Sequence, residues 1–170
     1  LVGITAERII RESTTPLLVA ADIPASWHRN TLLALGFDEA SVFAAQKAHA
    51  MGVFSRTDVT LMHAFDAPAE SHMKRAFVSP ASIAEYIQGE RISAGVVLRR
   101  MLEDLDLPPS GKILRRVKGS PARTIVEAAQ QIDSDLIVVG TNRPNGLRRS
   151  LIGSVAADVL RDARHDVLVI

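Results

Sequence analysis

Two glycines and a serine near the end of the chain have the types and spacing of an anion-binding site. Gly140 directly follows the apolar run 136–139, and Gly153 and Ser154 begin an apolar-periodic segment after an intervening loop. A short apolar run is typical of a buried parallel strand, and a glycine and serine at a helix start can direct backbone N–H groups at a phosphate. The sequence therefore predicts a strand, a loop and a helix N-terminus arranged around an anion.

The loop between these positions is basic. It contains Arg143, Arg148 and Arg149, and Gly146 in it is most simply a turn residue. Guanidinium groups form strong, charge-assisted hydrogen bonds with phosphate. The same arginines would equally form a solvated surface loop, and the helix start an ordinary cap, so both interpretations stay open.

No other motif indicates catalysis. The sequence contains no G-x-G-x-x-G after a strand, no G-x-x-x-x-G-K-[ST] and no G-x-S-x-G. Its five histidines lie apart, without metal-ligand spacing: His28, His49, His63, His72 and His165. We therefore predict no catalytic residue and no metal site. His63 is kept as a candidate binding residue because it lies near the end of a predicted strand, where α/β sheets present side chains to ligands.

Composition restricts the class of protein and of partner. The chain has 170 residues, which corresponds to about one domain, and it contains no cysteine. Twenty basic and nineteen acidic side chains give a net charge of +1, so no overall field attracts nucleic acid or an anionic membrane. We therefore expect a cytoplasmic protein without nucleic-acid or membrane partners.

The elements that must position the candidate site alternate along the chain. Strands are predicted over 31–35, 59–65, 112–117, 136–139 and 167–170. Helices are predicted over 39–50, 81–105 and 121–132 and from 154 onward, with Asp38 and Ser120 as N-caps and a polar connection over 66–80. This order predicts an α/β fold with an open, mostly parallel five-stranded sheet and helices on both faces.

The first twenty residues resemble the last twenty. Aligned without gaps, residues 1–20 and 151–170 share Leu1/Leu151, Gly3/Gly153, Ala6/Ala156, Arg11/Arg161, Leu18/Leu168 and Val19/Val169. Any two helix-strand units look partly alike, but the match also fits a tandem protein. We therefore interpret 1–20 as a helix and extra strand left from an upstream repeat, 21–30 as a linker and 31–170 as the main domain. Trp27 in the linker is expected to cover apolar surface.

Several segments together carry a family resemblance. They are Phe37-Asp38-Glu39-Ala40-Ser41 after the first strand, Leu61-Met62-His63, Gly119-Ser120-Pro121, the run 135–140 and Gly153-Ser154-Val155. In these segments the chain resembles the universal stress protein family of UspA-like domains. The resemblance implies a Rossmann-like fold, a role in stress response and ATP or another adenine nucleotide as ligand. It also implies self-association through the last strand, a contact that residues 16–20 are expected to mimic or replace against residues 167–170.

The resemblance also implies a set of nucleotide-site residues, with two departures. Members that bind nucleotide are similar in a pattern of Gly, two residues, Gly, nine residues, Gly and Ser or Thr. Arg143 stands at the second glycine of that pattern, and Gly36 stands where ATP-binding members place an aspartate near the adenine. The implied site contains Leu35, Gly36, Phe37, His63, Gly140, Thr141, Asn142, Arg143, Gly146, Gly153, Ser154 and Val155.

The two departures shape the expected function. Arginine lacks the conformational freedom of glycine, and Pro144 further restricts the backbone of Arg143. We therefore expect a non-enzymatic regulatory or scaffold protein whose adenine-nucleotide site is weak or lost, although the helix start and the arginines also fit a site for phosphate alone. The alternatives are a functional ATP-binding sensor of the same family and a slow nucleotide hydrolase.

Overall fold

The computed structural model describes residues 9, 13, 15–22, 27–105, 110–141 and 153–170. Within these ranges strands and helices alternate along the chain. The strands are β1 (Leu17–Val19), β2 (Asn30–Ala34), β3 (Asp58–Phe65), β4 (Gly111–Arg116), β5 (Leu136–Val139) and β6 (Asp166–Val169). The helices are α1 (Glu39–Ala50), α2 (Glu70–Arg75), α3 (Pro80–Leu105), α4 (Pro121–Gln131) and α5 (Ser154–Asp162).

The described strands form one open sheet in the order β1-β6-β5-β2-β3-β4. Every neighbouring pair is parallel except β1 with β6, which is antiparallel. The predicted parallel five-stranded sheet with an additional strand is therefore confirmed. The central strands β2 and β5 are buried along almost their whole length, as expected of strands covered by helices on both faces.

Helices cover the two faces of the sheet in pairs. On one face α4 and α5 pack against the sheet through small and branched side chains, namely Ala122, Ile125, Ala128, Ala129, Ala156, Val159 and Leu160. On the other face α1 and α3 contribute Ala44, Ala45, Ala48, Leu98, Leu102 and Leu105. The small residues of α1 and α4 let these helices lie close to the strands, so the apolar layers on both faces stay dense.

Side-chain caps fix where two helices and one strand begin. Asp38 accepts a hydrogen bond from the backbone N–H of Ser41 at 2.7 Å, and Ser120 accepts one from that of Arg123 at 3.2 Å. Both predicted N-caps are therefore confirmed. Asp135 caps the start of β2 instead, because its carboxylate accepts two backbone N–H groups from residues 29 and 30.

The strand predicted near the N-terminus pairs as expected with the last strand. Leu17, Leu18 and Val19 of β1 lie opposite Val169, Leu168 and Val167 of β6, respectively. This confirms the predicted contact between 16–20 and 167–170. The helix predicted before β1 lies almost entirely outside the described residues.

The predicted polar connection between β3 and α3 contains a short helix that the sequence pattern did not indicate. Helix α2 has a C-terminal turn in which the N–H of Phe77 donates to the Lys74 carbonyl and that of Val78 to the Met73 carbonyl. This pair of hydrogen bonds requires a left-handed residue, and Phe77 has φ 53° there. An aromatic residue thus occupies a position that usually favours glycine.

The expectation for Trp27 was wrong. Its side chain is 76 % exposed, and the guanidinium of Arg56 lies 5.5 Å from its ring centroid. A cation over the ring face is a favourable contact for an exposed indole. Most of the Trp27 ring is therefore exposed beside a charged side chain and is not used to cover apolar surface.

Candidate functional site

A crevice of about 300 Å³ lies at the carboxyl ends of β2, β3 and β5. Its lining residues are Ala34, Leu35, Gly36, Asp38, Ala40, Ser41, Met62, His63, Ala64, Pro121, Ile125, Val139, Gly140, Thr141, Gly153, Ser154, Val155 and Ala156. The volume is at the lower end of the range found for ligand sites, roughly 300 to 1,000 Å³. The lining is mainly apolar, with a few polar groups at the ends of the strands.

The strand order explains why the crevice forms there. From β2 the chain proceeds to β3 and β4 on one side, and it then returns to β5 and β6 on the other. The connections that leave β2 and β5 therefore diverge to opposite faces of the sheet. Such a switch point leaves a crevice outside the carboxyl ends of the strands, where α/β proteins bind ligands.

The N-terminus of α5 lies at one side of this crevice, and its first backbone N–H groups have no partner within the helix. Gly153 precedes the helix without a side-chain cap, and its carbonyl accepts the N–H of Ala157 at 3.1 Å. The N–H groups of the first helical residues, Ser154 to Ala156, therefore have no acceptor within the helix. Together with the helix dipole they form the kind of surface that binds an anion.

Gly140 and Thr141 line the crevice but also have structural roles. A Cβ at Gly140 would lie 3.2 Å from the Cβ of Ala44, so glycine allows α1 to approach the end of β5. The hydroxyl and the backbone N–H of Thr141 both donate to the carbonyl of Ile170, at 3.0 and 2.6 Å. Close packing and internal hydrogen bonds thus account for both residues without a ligand.

The turn after β2 is closed by its own polar groups. Gly36 donates its N–H to Oγ of Ser41 at 2.9 Å, while Asp38 Oδ1 accepts the N–H of Ser41. A Cβ at Gly36 would lie 2.9 Å from Asp38 Oδ2 and 3.0 Å from Ser41 Oγ. The turn therefore has no free space for a side chain at position 36. Asp38 and Ser41 also line the crevice. The sequence did not predict this position for them, because the pattern there indicates only the start of a helix.

His63 and Phe37 form a stacked pair at the same end of the crevice. Their ring centroids are 3.5 Å apart and their planes differ by 16°. Nδ1 of His63 lies 2.8 Å from the carbonyl oxygen of Leu35, so Nδ1 carries a proton and donates it. In the neutral ring Nε2 is then the acceptor. Phe37, a predicted site residue, contacts His63 but is not among the residues that line the crevice.

Burial favours the neutral form of this histidine. His63 is 8 % exposed, and burial lowers its pKa below the usual 6.5, although the hydrogen bond to Leu35 acts in the opposite direction. Desolvation penalises the charged imidazolium more than the neutral ring. Near neutral pH His63 therefore offers a crevice ligand an uncharged ring.

The described lining contains no lysine or arginine, and Asp38 is the one acidic residue in it. Three predicted site residues, Asn142, Arg143 and Gly146, lie outside the described residues, as do Arg148 and Arg149. The other predicted lining residues come together as expected: Leu35, Gly36, His63, Gly140, Thr141, Gly153, Ser154 and Val155. Within the described ranges, attraction for an anion therefore comes from the start of α5.

Metal-binding clusters and membrane-spanning helices are absent from the described residues. No group of three or more His, Asp or Glu side chains is arranged to hold a metal ion in the part of the chain that the structure describes. Over the same residues, no helix combines the length and apolar character required to cross a membrane.

Sequence comparison identifies one family for most of the chain. The profile of the universal stress protein family matches residues 28–170. Universal stress protein MJ0531 of Methanocaldococcus jannaschii is 38 % identical over 88 residues, which are 52 % of this chain and 50 % of that protein. Universal stress protein G of Salmonella typhimurium is 28 % identical over 113 residues, 66 % of this chain and 76 % of that protein. The chain thus spans about half the length of the first of these relatives.

Structural comparison gives the same fold at lower identity. A Pseudomonas aeruginosa protein of unknown function, PA1789, has a TM-score of 0.65 at 20 % identity. The superposed region covers 99 % of this chain and 56 % of the PA1789 chain. A universal stress protein solved in complex with cAMP has a TM-score of 0.54 at 21 % identity. The superposed region covers 85 % of this chain and 98 % of that protein's chain. Both similarities establish the architecture and leave the ligand of this chain open.

Proposed function

Because this chain belongs to the universal stress protein family, we propose that it is a regulatory or scaffold domain that acts through association. In this proposal its crevice binds adenine nucleotide weakly or not at all, and no reaction takes place there. The proposal concerns the domain described above, whereas relatives such as MJ0531 are about twice the matched length.

The observation that carries the proposal is the closed polar network at the end of β2. The carbonyl of Leu35 accepts from His63, the N–H of Gly36 donates to Ser41, and the N–H of Ser41 donates to Asp38. A nucleotide base needs partners for its own donors and acceptors when it is buried. Because these bonds already engage the carbonyl of Leu35 and the N–H groups of Gly36 and Ser41, a base in the crevice would compete for these backbone groups and would otherwise depend on side-chain atoms such as Nε2 of His63.

Position 36 adds to this argument. The family resemblance places an aspartate there in ATP-binding members, and this chain has Gly36. A Cβ at this position would lie 2.9 Å from Asp38 Oδ2 and 3.0 Å from Ser41 Oγ, so a side chain at position 36 would require these neighbours to move. Position 36 therefore contributes no carboxylate to the end of the crevice beside β2, and the carboxylate that does lie there, that of Asp38, caps α1.

A second function, a genuine ATP-binding sensor, is favoured by a different observation. The first residues of α5 line the crevice, and such a helix start contributes roughly 0.3–1 kcal/mol to anion binding, or up to about 2 when partly buried. A universal stress protein of the same fold was solved with cAMP, which makes adenine nucleotides the appropriate probes. In this alternative the Arg143 loop would replace the missing glycine of the family pattern.

Calorimetric titration with ATP, ADP, cAMP, adenosine and inorganic phosphate, with and without Mg²⁺, separates the two functions. We expect dissociation constants weaker than about 100 µM for every nucleotide, which corresponds to a binding free energy less favourable than about −5.5 kcal/mol. A micromolar constant would contradict the proposal and support the sensor. Sustained release of phosphate from ATP, lost on Ser154→Ala, would support the hydrolase.

A pair of matched variants shows whether any binding detected by calorimetry takes place in the crevice. Ala64 lines it, so Ala64→Phe should fill the space and abolish binding there. Ala84 is exposed on α3, so Ala84→Phe makes the same substitution away from the site. Binding that survives Ala64→Phe would have to be placed elsewhere on the molecule.

A further inference from the structure

His63 presents to the crevice a hydrogen-bond acceptor that no described residue uses. Its Nδ1 donates to the carbonyl of Leu35 at 2.8 Å, so the proton is fixed on Nδ1 and the lone pair lies on Nε2. The residue is 8 % exposed and lines the crevice, and its Nε2 has no partner in the part of the chain that the structure describes. Because a buried acceptor is costly to leave unpaired, a donor from a ligand or from water belongs at this atom.

The start of α5 provides a second set of unused groups, of the opposite kind. Helices α1 and α4 also begin beside the crevice, but the side chains of Asp38 and Ser120 cap them. Helix α5 has nine residues and begins after Gly153 without a side-chain cap, and the N–H groups of residues 154–156 have no acceptor among the described residues. An anionic oxygen is the partner that such N–H groups and the helix dipole favour.

These two sets of groups lie on opposite faces of the sheet. His63 is in register with Leu114, which packs in the cluster beneath α1 and α3, whereas α5 covers the other face. Strand β2 also separates β3 from β5, so the span covers two strand spacings, roughly 10 Å. Most of the remaining lining is apolar, for example Met62, Ile125 and Val139. A ligand that uses both ends therefore needs an apolar body between its donor and its anion.

The charges around the crevice favour a single negative charge on that ligand. The described lining holds no lysine or arginine that could neutralise a chain of phosphates, and its volume of about 300 Å³ suits a small molecule. Its one acidic residue, Asp38, lies in the turn after β2, where the Leu35 carbonyl binds His63. Like charges repel, so the carboxylate of Asp38 disfavours an anion at this end and directs it to the start of α5.

We propose that the crevice binds a small carboxylic acid whose apolar body carries one neutral hydroxyl or N–H donor. The donor meets Nε2 of His63, and the carboxylate meets the N–H groups at the start of α5. This inference rests on the proposed function, in which adenine nucleotide is not the ligand that the crevice favours. It adds the class of small molecule to which such a regulatory domain would respond.

Calorimetric titration with three phenolic acids of increasing length tests the proposal. The probes are para-hydroxybenzoate, para-hydroxyphenylacetate and para-hydroxyphenylpropionate, and we expect at least one to bind with a dissociation constant below about 1 mM. Two analogues of the tightest acid separate the two ends. Replacing its hydroxyl by fluorine removes the donor and should weaken binding about three- to tenfold, and replacing its carboxylate by a primary alcohol should weaken binding about tenfold or more.

A variant of His63 tests the donor end. In His63→Asn the amide N–H can still donate to the carbonyl of Leu35, but no acceptor remains at the place of Nε2. This variant should bind the acid and its fluoro analogue equally, because the hydroxyl has lost its partner. Its affinity for the fluoro analogue should match that of the unmodified chain within about twofold.

A matched pair at Ser154 tests the anion end. Proline is tolerated at the first residue of a helix, and Gly153 before it already has the extended backbone that a following proline requires, with φ −53° and ψ 141°. Ser154→Pro removes one free N–H and should weaken binding of the acid about tenfold, with at most about a twofold effect on the alcohol. Ser154→Ala removes only the hydroxyl and should leave both affinities within about twofold.

Three outcomes would overturn the proposal: no acid of the series binds more tightly than about 1 mM, the tightest acid binds no better than its two analogues, or its binding survives Ala64→Phe. If a variant at His63 or Ser154 does not fold by circular dichroism, the analogues on the unmodified chain still decide. The nucleotide titrations judge the proposed function separately. A micromolar constant for ATP contradicts that function, whereas acids that fail to bind while ATP is also weak remove only the present inference.

Discussion

Replacing Gly36 by alanine should destabilise the domain by loosening the cap of α1. The added Cβ would lie 2.9 Å from Asp38 Oδ2 and 3.0 Å from Ser41 Oγ, so one or both side chains must move. Asp38 is the N-cap of the helix, and Ser41 accepts the N–H of residue 36. The substitution therefore acts on the two hydrogen bonds that close the turn after β2, beside the crevice.

The expected magnitude follows from these two bonds. Loss of an N-cap typically costs about 1 kcal/mol, and loss of one further hydrogen bond about 0.5–1.5 kcal/mol. Alanine also restricts the unfolded chain more than glycine does, which returns roughly 0.4–1 kcal/mol. We expect Gly36→Ala to lower the free energy of unfolding by about 1 kcal/mol. Urea unfolding followed by circular dichroism measures this from the midpoint at constant m-value.

A double-mutant cycle with Asp38→Ala tests the mechanism. If alanine at position 36 acts by displacing the cap, the cap is lost only once in the double variant, which should then be about 0.5–1 kcal/mol more stable than additivity predicts. Gly89→Ala is the control, because a Cβ at Gly89 would meet nothing within 4 Å, and alanine should stabilise this helix position by about 0.5–1 kcal/mol. Additivity within about 0.3 kcal/mol, or stabilisation equal to that of Gly89→Ala, would refute the reasoning.

Three further predictions concern stability. Burial lowers the pKa of both His63 and His165 from 6.5, so the unfolded chain takes up protons first. The free energy of unfolding should be highest above about pH 6.5 and decrease below it, by up to about 1.4 kcal/mol per pH unit for each histidine. Urea unfolding at several pH values measures this decrease, which should be smaller in His63→Gln. In the same assay Asp135→Ala should lower the free energy of unfolding by about 2 kcal/mol, because Asp135 accepts two backbone N–H groups at 2.7 and 3.1 Å. The control Asp158→Ala breaks only a surface ion pair and should lower it by less than about 0.5 kcal/mol. Phe77→Gly should raise the free energy of unfolding by about 0.5–1 kcal/mol, since Phe77 is left-handed at φ 53° and 95 % exposed, and an unchanged urea midpoint would show that the turn is unstrained.

The sheet could be predicted because its central strands carry a local signal. Residues 136–139 are continuously apolar and lie buried on both faces, which is the pattern of a covered parallel strand. Helix α2 carries no such signal. Its sequence Glu70–Arg75 is polar, it buries no residue, and its N-cap makes no side-chain hydrogen bond. Glu70 of this helix also forms an ion pair with Arg116 of β4, a tertiary contact that a local pattern cannot reveal.

The sequence predicts the location of the candidate site better than the roles of its individual residues. Residues at the ends of neighbouring parallel strands must meet at one edge, which brought His63, Gly36 and Gly140 together correctly. Their individual roles depend on partners distant in sequence. Gly140 is explained by the approach of Ala44, and Thr141 by a carbonyl 29 positions away. Neither partner can be inferred from the spacing of glycines.

The distribution of unbonded polar groups indicates which part of a ligand this crevice would retain. At the end of β2 the backbone carbonyl of Leu35 and the N–H of Gly36 are bonded within the chain, and the Phe37 ring lies against His63. At the start of α5 the first N–H groups have no acceptor within the helix. A ligand that presents an anion can therefore use the helix end without breaking an internal bond, whereas a buried base must compete with bonds worth about 0.5–1.5 kcal/mol each. Any binding in the titrations should accordingly follow the anionic group, so that adenosine binds less tightly than ADP and the contribution of the base is small.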